Sequence, residues 1–246
     1  MSSKNHTDLK NALYIACKKK GVTEHNKKCL NNLQGKLYEN KEINFTAAKR
    51  SFKPPLIAFG TICDTQFVDS LNLKIGARLM LNFNVDVSDL LCNGAMETLV
   101  GVENFKDGSL DKVIVKFDNP KAGRESRKNH PNYEKKYPEG TVIKKMEYEY
   151  MLSRKANIVI GSSAKLIQYP LILAYAVTVH KIQGQTIERQ WKCVIDLMSV
   201  FEGAQAYIIL SRVKELEQIF ILGELPENKI YPIPKALDKI NRLEEI

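Results

Sequence analysis

The sequence contains no uninterrupted apolar run of about 18 residues, which is the length that a membrane-spanning helix needs. Its first residues also lack the basic start, apolar centre and small-residue cleavage site of a secretory signal. The five cysteines form none of the close pairs that zinc sites and redox motifs use, because they are scattered over positions 17, 29, 63, 92 and 193. We therefore expect an intracellular protein with structural thiols, without a membrane partner and without a bound metal.

Positive charge exceeds negative charge along the chain. The 37 Lys and Arg residues outnumber the 28 Asp and Glu residues, which gives a net charge of +9 and a pI near 9.2. Electrostatics alone therefore favours a polyanion, such as a nucleic acid, as the partner. Composition does not establish this partner, since many basic proteins bind no particular anion. With 246 residues, 44% of them hydrophobic, the chain suffices for one or two globular domains.

The N-terminal segment "ALYIACKKKGVTEHNKKCLNNL" predicts a strand, a turn and a helix. Apolar residues alternate at Leu13, Ile15 and Cys17, which is typical of a strand. Gly21 is expected in the turn, and Thr23 is expected to cap the helix that follows. The stretch from there to about residue 70 is interrupted by a Pro-Pro pair and is interpreted as a connector.

The middle of the chain predicts an antiparallel β meander. Short apolar runs alternate with the turn dipeptides Asn93-Gly94 and Asp107-Gly108. The polar run "NPKAGRESRKNHPNYEKKYPEG" then predicts one long basic loop from Lys121 to Lys136. Its tyrosines and lysines would suit base stacking and phosphate contact, but we expect a solvated, mobile loop rather than a binding arm. A small barrel with this loop fits the pattern.

Beyond Gly161 the apolar runs alternate with polar turns and helical stretches, in the order "LIQYPLILAYAVTV", "KCVIDLM", "GAQAYIILSRV" and "QIFILGEL". Continuous apolar strands that alternate with helices favour a mostly parallel sheet buried on both faces. The chain is thus predicted to be an α/β lobe with a β module inserted in its middle.

A polar segment, "VTVHKIQGQT" at 177–186, directly follows one of these predicted strands. Loops at the carboxyl ends of parallel strands are where anionic ligands bind. Thr178 offers a hydroxyl, His180 and Lys181 offer donors or charge, Gly184 permits close backbone approach, and Gln185 can bond a sugar or base edge. Taken alone, the segment is better interpreted as a helix start with surface polar residues, because such residues are common there.

A second segment places Ser211 and Arg212 at the polar end of an apolar helix. An arginine held at such a place can stabilise charge on a transferring phosphoryl group. Alternatively, it is a helix C-terminus at which a cation complements the dipole.

Together, "AYAVTVHKIQGQTI", "VIDL", "GAQAYIILSRV" and "IFILG" resemble, in order and spacing, motifs V and VI of superfamily 1 DNA helicases of the Pif type (petite integration frequency) and their RecD-like relatives. The run "KIGARLMLNFNVDVSDLLCNGAMETLVGV" resembles the segment that leads into the barrel of that family's second lobe. The resemblance covers nearly the whole chain.

The resemblance implies an α/β fold: a second RecA-like lobe with a mostly parallel sheet, interrupted by a small antiparallel β-barrel. The expected limits are 8–70 and 165–225 for the split lobe, 71–164 for the Src-homology-like barrel and 226–246 for a C-terminal tail. Two differences add bulk next to the motifs, since Ile182 replaces a residue that is commonly small and Ile209 replaces the usual alanine.

The resemblance also implies roles for single residues. Arg212 would be the catalytic arginine finger on the γ-phosphate of ATP, and the nucleotide would be bound by Gln183, Gly184, Gln185 and Ser211. DNA would be contacted by Thr178, His180 and Lys181, with Gln183 near both ligands. The implied partners are single-stranded DNA and a first RecA-like lobe. The implied activity is ATP- and Mg²⁺-dependent 5′–3′ unwinding for repair or recombination, in the nucleus or mitochondrion of a eukaryote.

This activity requires a glycine-rich loop ending in Gly-Lys-Ser/Thr and an acidic pair. The only Gly-Lys dipeptide, Gly35-Lys36, precedes a leucine, and no Asp-Glu dipeptide occurs. We expect the chain alone neither to hydrolyse ATP nor to unwind DNA. Three interpretations remain: the C-terminal part of a helicase, which we favour, a stand-alone nucleic-acid-binding module, and an adaptor that does not bind DNA.

Overall fold

The computed structural model describes residues 9, 12–40, 70–151, 163–187, 189–200 and 205–223. The chain forms two compact units, one from 1–31 with 174–246 and one from 32–173. The domain limits given above remain predictions. Within the described ranges no helix is both long and apolar enough to cross a membrane, and no group of three or more His, Cys, Asp or Glu side chains could hold a metal ion.

Thirteen strands and five α-helices are described. In chain order they are β1 (Leu13–Ala16), α1 (Lys19–Asn32), β2 (Tyr38–Asn40), β3 (Leu71–Leu73), β4 (Arg78–Leu81), β5 (Met96–Asn104), β6 (Leu110–Phe117), α2 (Arg124–Lys128), α3 (Pro131–Lys136), β7 (Thr141–Ile143), β8 (Met146–Met151), β9 (Ser163–Gln168), β10 (Leu171–Leu173), β11 (Ala176–Thr178), α4 (Val179–Ile182), β12 (Cys193–Asp196), α5 (Gln205–Leu210) and β13 (Ile219–Ile221).

The first unit contains a four-stranded sheet in the order β11-β1-β12-β13, and every neighbouring pair is parallel. This confirms the mostly parallel sheet predicted from the alternating apolar runs. Ile15 and Ile195 on the two central strands are fully buried. The buried Asn26 of α1 bonds the edge strand β11 twice, accepting from the N–H of Ala176 (2.8 Å) and donating to its carbonyl oxygen (2.9 Å). One helix is thereby fixed against the end strand of the sheet.

The predicted start of the first helix was wrong. The helix α1 begins at Lys19, so that Gly21 and Thr23 lie inside it. The Thr23 hydroxyl donates to the carbonyl oxygen of Lys19, four residues earlier (3.0 Å), instead of capping a later start. A threonine can make this bond within a helix, and one interior glycine costs only about 1 kcal/mol relative to alanine.

The second unit contains a five-stranded antiparallel sheet in the order β10-β4-β5-β6-β7. Strands β4 to β7 pair with their neighbours in sequence, which confirms the predicted meander. Closure of this sheet into a barrel remains a prediction. Two further antiparallel pairs, β2-β3 and β8-β9, complete the described strands of the unit. Its core includes Leu79, Leu99, Val113, Ile114 and Leu171, all fully buried.

The predicted basic loop was also wrong, because Lys121–Lys136 contains the two short helices α2 and α3. The polar sequence did not predict this structure because the side chain of Arg127 is buried rather than solvated. It donates to the carbonyl oxygens of Pro120 and Ala122 and to the Thr141 hydroxyl. A charged residue expected in solvent therefore anchors the segment to the sheet.

Glu97 is an unusual member of the core of the second unit. Its side chain is fully buried, and both carboxylate oxygens lack a hydrogen-bond partner among the described residues. The N–H of Leu81 donates to the Ala95 carbonyl oxygen rather than to Glu97. Burial raises the pKa of Glu97 well above its usual value, with the charge of Arg78 opposing the increase and that of Asp118 reinforcing it. Burial therefore favours the protonated form of Glu97.

We expect the variant Glu97→Gln to gain stability over the wild type as the pH rises. The folded state binds the Glu97 proton more tightly than the unfolded chain, whose glutamate pKa is about 4.5. Binding of this proton therefore contributes fully to the free energy of unfolding at low pH. That contribution is lost as the pH rises through the raised folded-state pKa. Urea unfolding from pH 5 to 9 measures the difference. The exposed control Glu134→Gln should show no such trend, and parallel curves for wild type and Glu97→Gln would contradict the assignment.

Candidate functional site

The predicted polar segment lies at the carboxyl edge of the parallel sheet. Strands β1 and β11 are parallel neighbours, with Ala16 opposite Thr178. Both strands therefore end at the same edge of the sheet. Thr178 is the last residue of β11 and the N-cap of α4, where its backbone is extended. Its half-buried side chain makes no capping hydrogen bond. No described residue forms a hydrogen bond with this hydroxyl, which can therefore donate to or accept from a ligand.

Lys181, on α4, lies close to a lysine that sequence analysis missed. Burial lowers the pKa of Lys181, and the positive charge of Lys19 at the start of α1 lowers it further. Neither ammonium group makes an ion pair with a described residue. Two neighbouring cations without a carboxylate form a local attraction for an anion. The signal available in the sequence was the position of Lys19, which follows the neighbouring strand.

The exposed members of the segment are His180, Gln183, Gly184 and Thr186. The short helix α4 ends at Ile182, and Gly184 then adopts a φ of 81°, in the left-handed region that favours glycine. No atom of the described residues lies within 4 Å of the position that a Cβ of Gly184 would occupy. The backbone here is thus open to a ligand.

The two motif segments meet at Arg212, which bonds Gln185, 27 residues earlier in the chain. The Arg212 guanidinium donates from Nη1 to the carbonyl oxygen of Gln185 (3.3 Å), and from Nη2 to the Ser211 hydroxyl (3.0 Å). In return, the N–H of Ile187 donates to the Arg212 carbonyl oxygen (2.8 Å). The Gln185 side chain donates to the carbonyl oxygen of Lys181 (2.9 Å). The structure therefore brings Lys181, Gln185, Ser211 and Arg212 into one bonded network.

The positive charge of Arg212 is not neutralised by a carboxylate among the described residues. Besides Gln185 and Ser211, its guanidinium contacts the carbonyl oxygen of Ile208 (3.2 Å), and all three acceptors are neutral. Arg189 differs, because it pairs with Glu215 at 3.1 Å. Arg212 is thus oriented by neighbours that leave its charge free to act on an anion.

The bulky residues beside the motifs are accommodated in the core. Ile182 and Ile209 are 2% and 0% exposed, and their helices α4 and α5 contact each other. The two isoleucines therefore pack in the core without separating α4, which carries Lys181, from α5, which ends two residues before Arg212.

No family model matches the chain. Among curated proteins, it is 30% identical over 169 residues to the ATP-dependent DNA helicase Pif1 of Bdellovibrio bacteriovorus, a match that covers 69% of this chain and 31% of that protein. It is 34% identical over 153 residues to the ATP-dependent DNA helicase PIF1 of Danio rerio, with coverage of 62% and 19% respectively. The chain thus spans less than a third of the length of either relative.

A solved structure has the same fold. The Pif1 helicase from Bacteroides, crystallised in complex with ADP-AlF3 and single-stranded DNA, superposes with a TM-score of 0.64 at 21% identity. The match covers all of this chain and 47% of the Bacteroides chain. This chain combines a parallel sheet with antiparallel sheets, and the match is to the RecA-like fold of such helicases. On these matches the chain belongs to the Pif1-type superfamily 1 helicases, of which it represents a part.

Proposed function

We propose that this chain supplies one RecA-like lobe of an ATP-dependent DNA helicase. The observation that carries the proposal is the network at the carboxyl edge of the parallel sheet. In this network the segment after β11 and the segment after α5 are joined through Arg212 and Gln185. In a two-lobe motor, a nucleotide-sensing arginine and a DNA-contacting segment must be mechanically connected. Direct bonding between them supplies such a connection.

Arg212 is proposed as the arginine finger. Its charge is oriented by neutral acceptors, so it can stabilise the negative charge that develops on a transferring γ-phosphoryl group. Gly184 offers open backbone, and the remaining proposed nucleotide contacts are Gln183, Gln185 and Ser211. ATP and Mg²⁺ would be held by a first lobe, because this sequence has neither the Gly-Lys-Ser/Thr loop nor the acidic pair.

Single-stranded DNA is proposed as the polymer on which the lobe moves. Thr178, His180, Lys181 and the newly identified Lys19 would contact backbone phosphates, which positions the strand without reading its sequence. The Bacteroides relative was crystallised with single-stranded DNA, which supports the same ligand here. The family implies 5′–3′ movement, and in a eukaryote it implies action in the nucleus or mitochondrion.

A stand-alone nucleic-acid-binding module is the second candidate. It is favoured by the absence of a phosphate-binding loop from this sequence together with the net charge of +9. Both candidates require DNA binding at the sheet edge, but only the first requires Arg212 to act on a nucleotide.

We expect the double variant Thr178→Ala/Lys181→Ala to bind single-stranded DNA at least about tenfold more weakly than the wild type. It removes a hydroxyl and a charge from the sheet edge, and hydrogen bonds to charged groups contribute about 1.5–3 kcal/mol each. Fluorescence anisotropy with a labelled oligothymidine at low salt measures the affinity. The matched control is Thr23→Ala/Lys27→Ala, which removes the same residue types from the exposed side of α1. Equal loss of affinity in both double variants would contradict a specific site.

A further inference from the structure

The segment 120–139 of the second unit is built as a fixed element. The carboxylate of the buried Asp89 accepts from the backbone N–H groups of Glu125 (2.9 Å) and Ser126 (2.8 Å), which holds the first turn of α2. The Tyr133 hydroxyl on α3 donates to the Glu103 carboxylate on β5 (2.5 Å). Both helices are therefore attached to the antiparallel sheet.

A charged side chain lies beneath this element without an acidic hydrogen-bond partner in the described part of the chain. The Arg127 guanidinium is 9% exposed and donates to the Ala122 carbonyl oxygen (2.7 Å), the Pro120 carbonyl oxygen (2.9 Å) and the Thr141 hydroxyl (3.1 Å). All three acceptors are neutral, so the hydrogen bonds satisfy its donors but do not cancel its charge. The Glu139 carboxylate interacts electrostatically with Arg127 but forms its ion pair with Lys116, so the buried guanidinium still adds to the local positive potential, which little solvent screens.

An open groove of about 390 Å³ lies over Arg127. Its lining contains four cations and two carboxylates, and comprises Pro120, Lys121, Arg124, Arg127, Lys128, Glu134 and Glu139. Lys128 pairs with Glu125, and Glu139 pairs with Lys116 outside the lining. The exposed side chains of Lys121 and Arg124 make no ion pair with any described residue. Their charges are therefore available to a ligand.

We propose that this groove is a second contact site for the phosphate backbone of a nucleic acid. Lys121 and Arg124 would donate to phosphate oxygens, while the buried charge of Arg127 adds attraction from below. The groove is open, which suits a polymer that passes across it, whereas an enclosed pocket would suit a small anion. The inference rests on the proposed function in that the polymer is taken to be DNA, but it concerns a different unit of the chain from the sheet-edge site.

The test is the salt dependence of oligothymidine binding by the double variant Lys121→Gln/Arg124→Gln of the full chain. Loss of two phosphate contacts should reduce the slope of log K against log salt by about 1.4, because each contact on a single strand contributes about 0.7. The matched control is Lys106→Gln/Lys135→Gln, which removes two exposed charges of the same unit that do not line the groove. Its slope should change by clearly less. The melting temperatures of both variants should equal that of the wild type.

The outcomes separate this inference from the proposed function. If the wild type binds oligothymidine and the groove variant retains the wild-type slope, the groove is not a contact site and the sheet-edge proposal is untouched. Equal changes of slope in the groove and control variants mean general electrostatic attraction, which also overturns the inference. If the wild type binds labelled inorganic polyphosphate but shows no binding to oligothymidine, the groove takes phosphate without DNA, and both the proposed function and the nucleic-acid assignment fail.

Discussion

Replacing Arg212 with alanine is expected to lower the kcat of DNA-stimulated ATP hydrolysis by about 10³-fold or more in a two-lobe protein. An arginine finger contributes about 10³–10⁵ to kcat in phosphoryl transfer. Such a protein is obtained by joining this chain to a first lobe that carries a Gly-Lys-Thr loop and an acidic pair. Lysine at position 212 should rescue the rate only in small part, because an ammonium group lacks the planar fork that bonds both Gln185 and Ser211.

The control for this prediction is Arg189→Ala. Arg189 is exposed and pairs with Glu215 on the surface of the same unit, so its loss should leave kcat within about twofold of the wild type, as is usual for surface ion pairs. Binding of DNA without nucleotide should be nearly unchanged in Arg212→Ala, since the assigned role is on the nucleotide side. If the kcat of Arg212→Ala equals that of Arg189→Ala, Arg212 is not an arginine finger.

Replacing Gly123 with alanine is expected to destabilise the second unit by about 2–4 kcal/mol. Gly123 precedes α2 with a φ of 73°, a conformation that costs an L-residue about 1–2 kcal/mol. A Cβ there would also lie 2.7 Å from Cγ2 and 3.1 Å from Cβ of the buried Thr141, and overpacking of this kind costs about 1–3 kcal/mol. Thr141 is the hydroxyl partner of Arg127, so the change also disturbs the anchor of the helical segment.

The matched control is Gly108→Ala. Gly108 has a similar φ of 85°, but no atom of the described chain lies within 4 Å of the position that its Cβ would take, so only the conformational term applies. We expect a loss of about 1 kcal/mol for this variant by urea unfolding. If the two alanine variants lose equal stability, the close approach of Gly123 to Thr141 has no energetic role.

The regular elements of the sheet could be predicted because their signals are local. Alternating or continuous apolar residues indicated the strands, and Asn93-Gly94 and Asp107-Gly108 marked turns that the structure contains. The order of the two polar segments also carried the family resemblance, which the relatives confirm. Roles for single residues at the site, from Thr178 to Arg212, remain proposals.

Features that depend on contacts distant in sequence could not be predicted. Burial of Arg127 depends on carbonyl oxygens that only the folded chain brings together, and capping of α2 depends on Asp89, 36 residues before Glu125. Lys19 was missed for the same reason, because its nearness to Lys181 follows from the pairing of β1 with β11. Thr23 was wrongly predicted to cap the helix, because a threonine can either cap a helix or donate its hydroxyl to a carbonyl oxygen inside one.

The decisive measurement is ATP turnover in the presence of single-stranded DNA, for this chain alone and for the same chain joined to a first lobe. We expect no turnover above background for the chain alone, and DNA-stimulated turnover for the joined protein that disappears in Arg212→Ala. Robust DNA-stimulated turnover by the chain alone, unaffected by Arg212→Ala, would contradict the assignment of this chain as one lobe of a two-lobe motor.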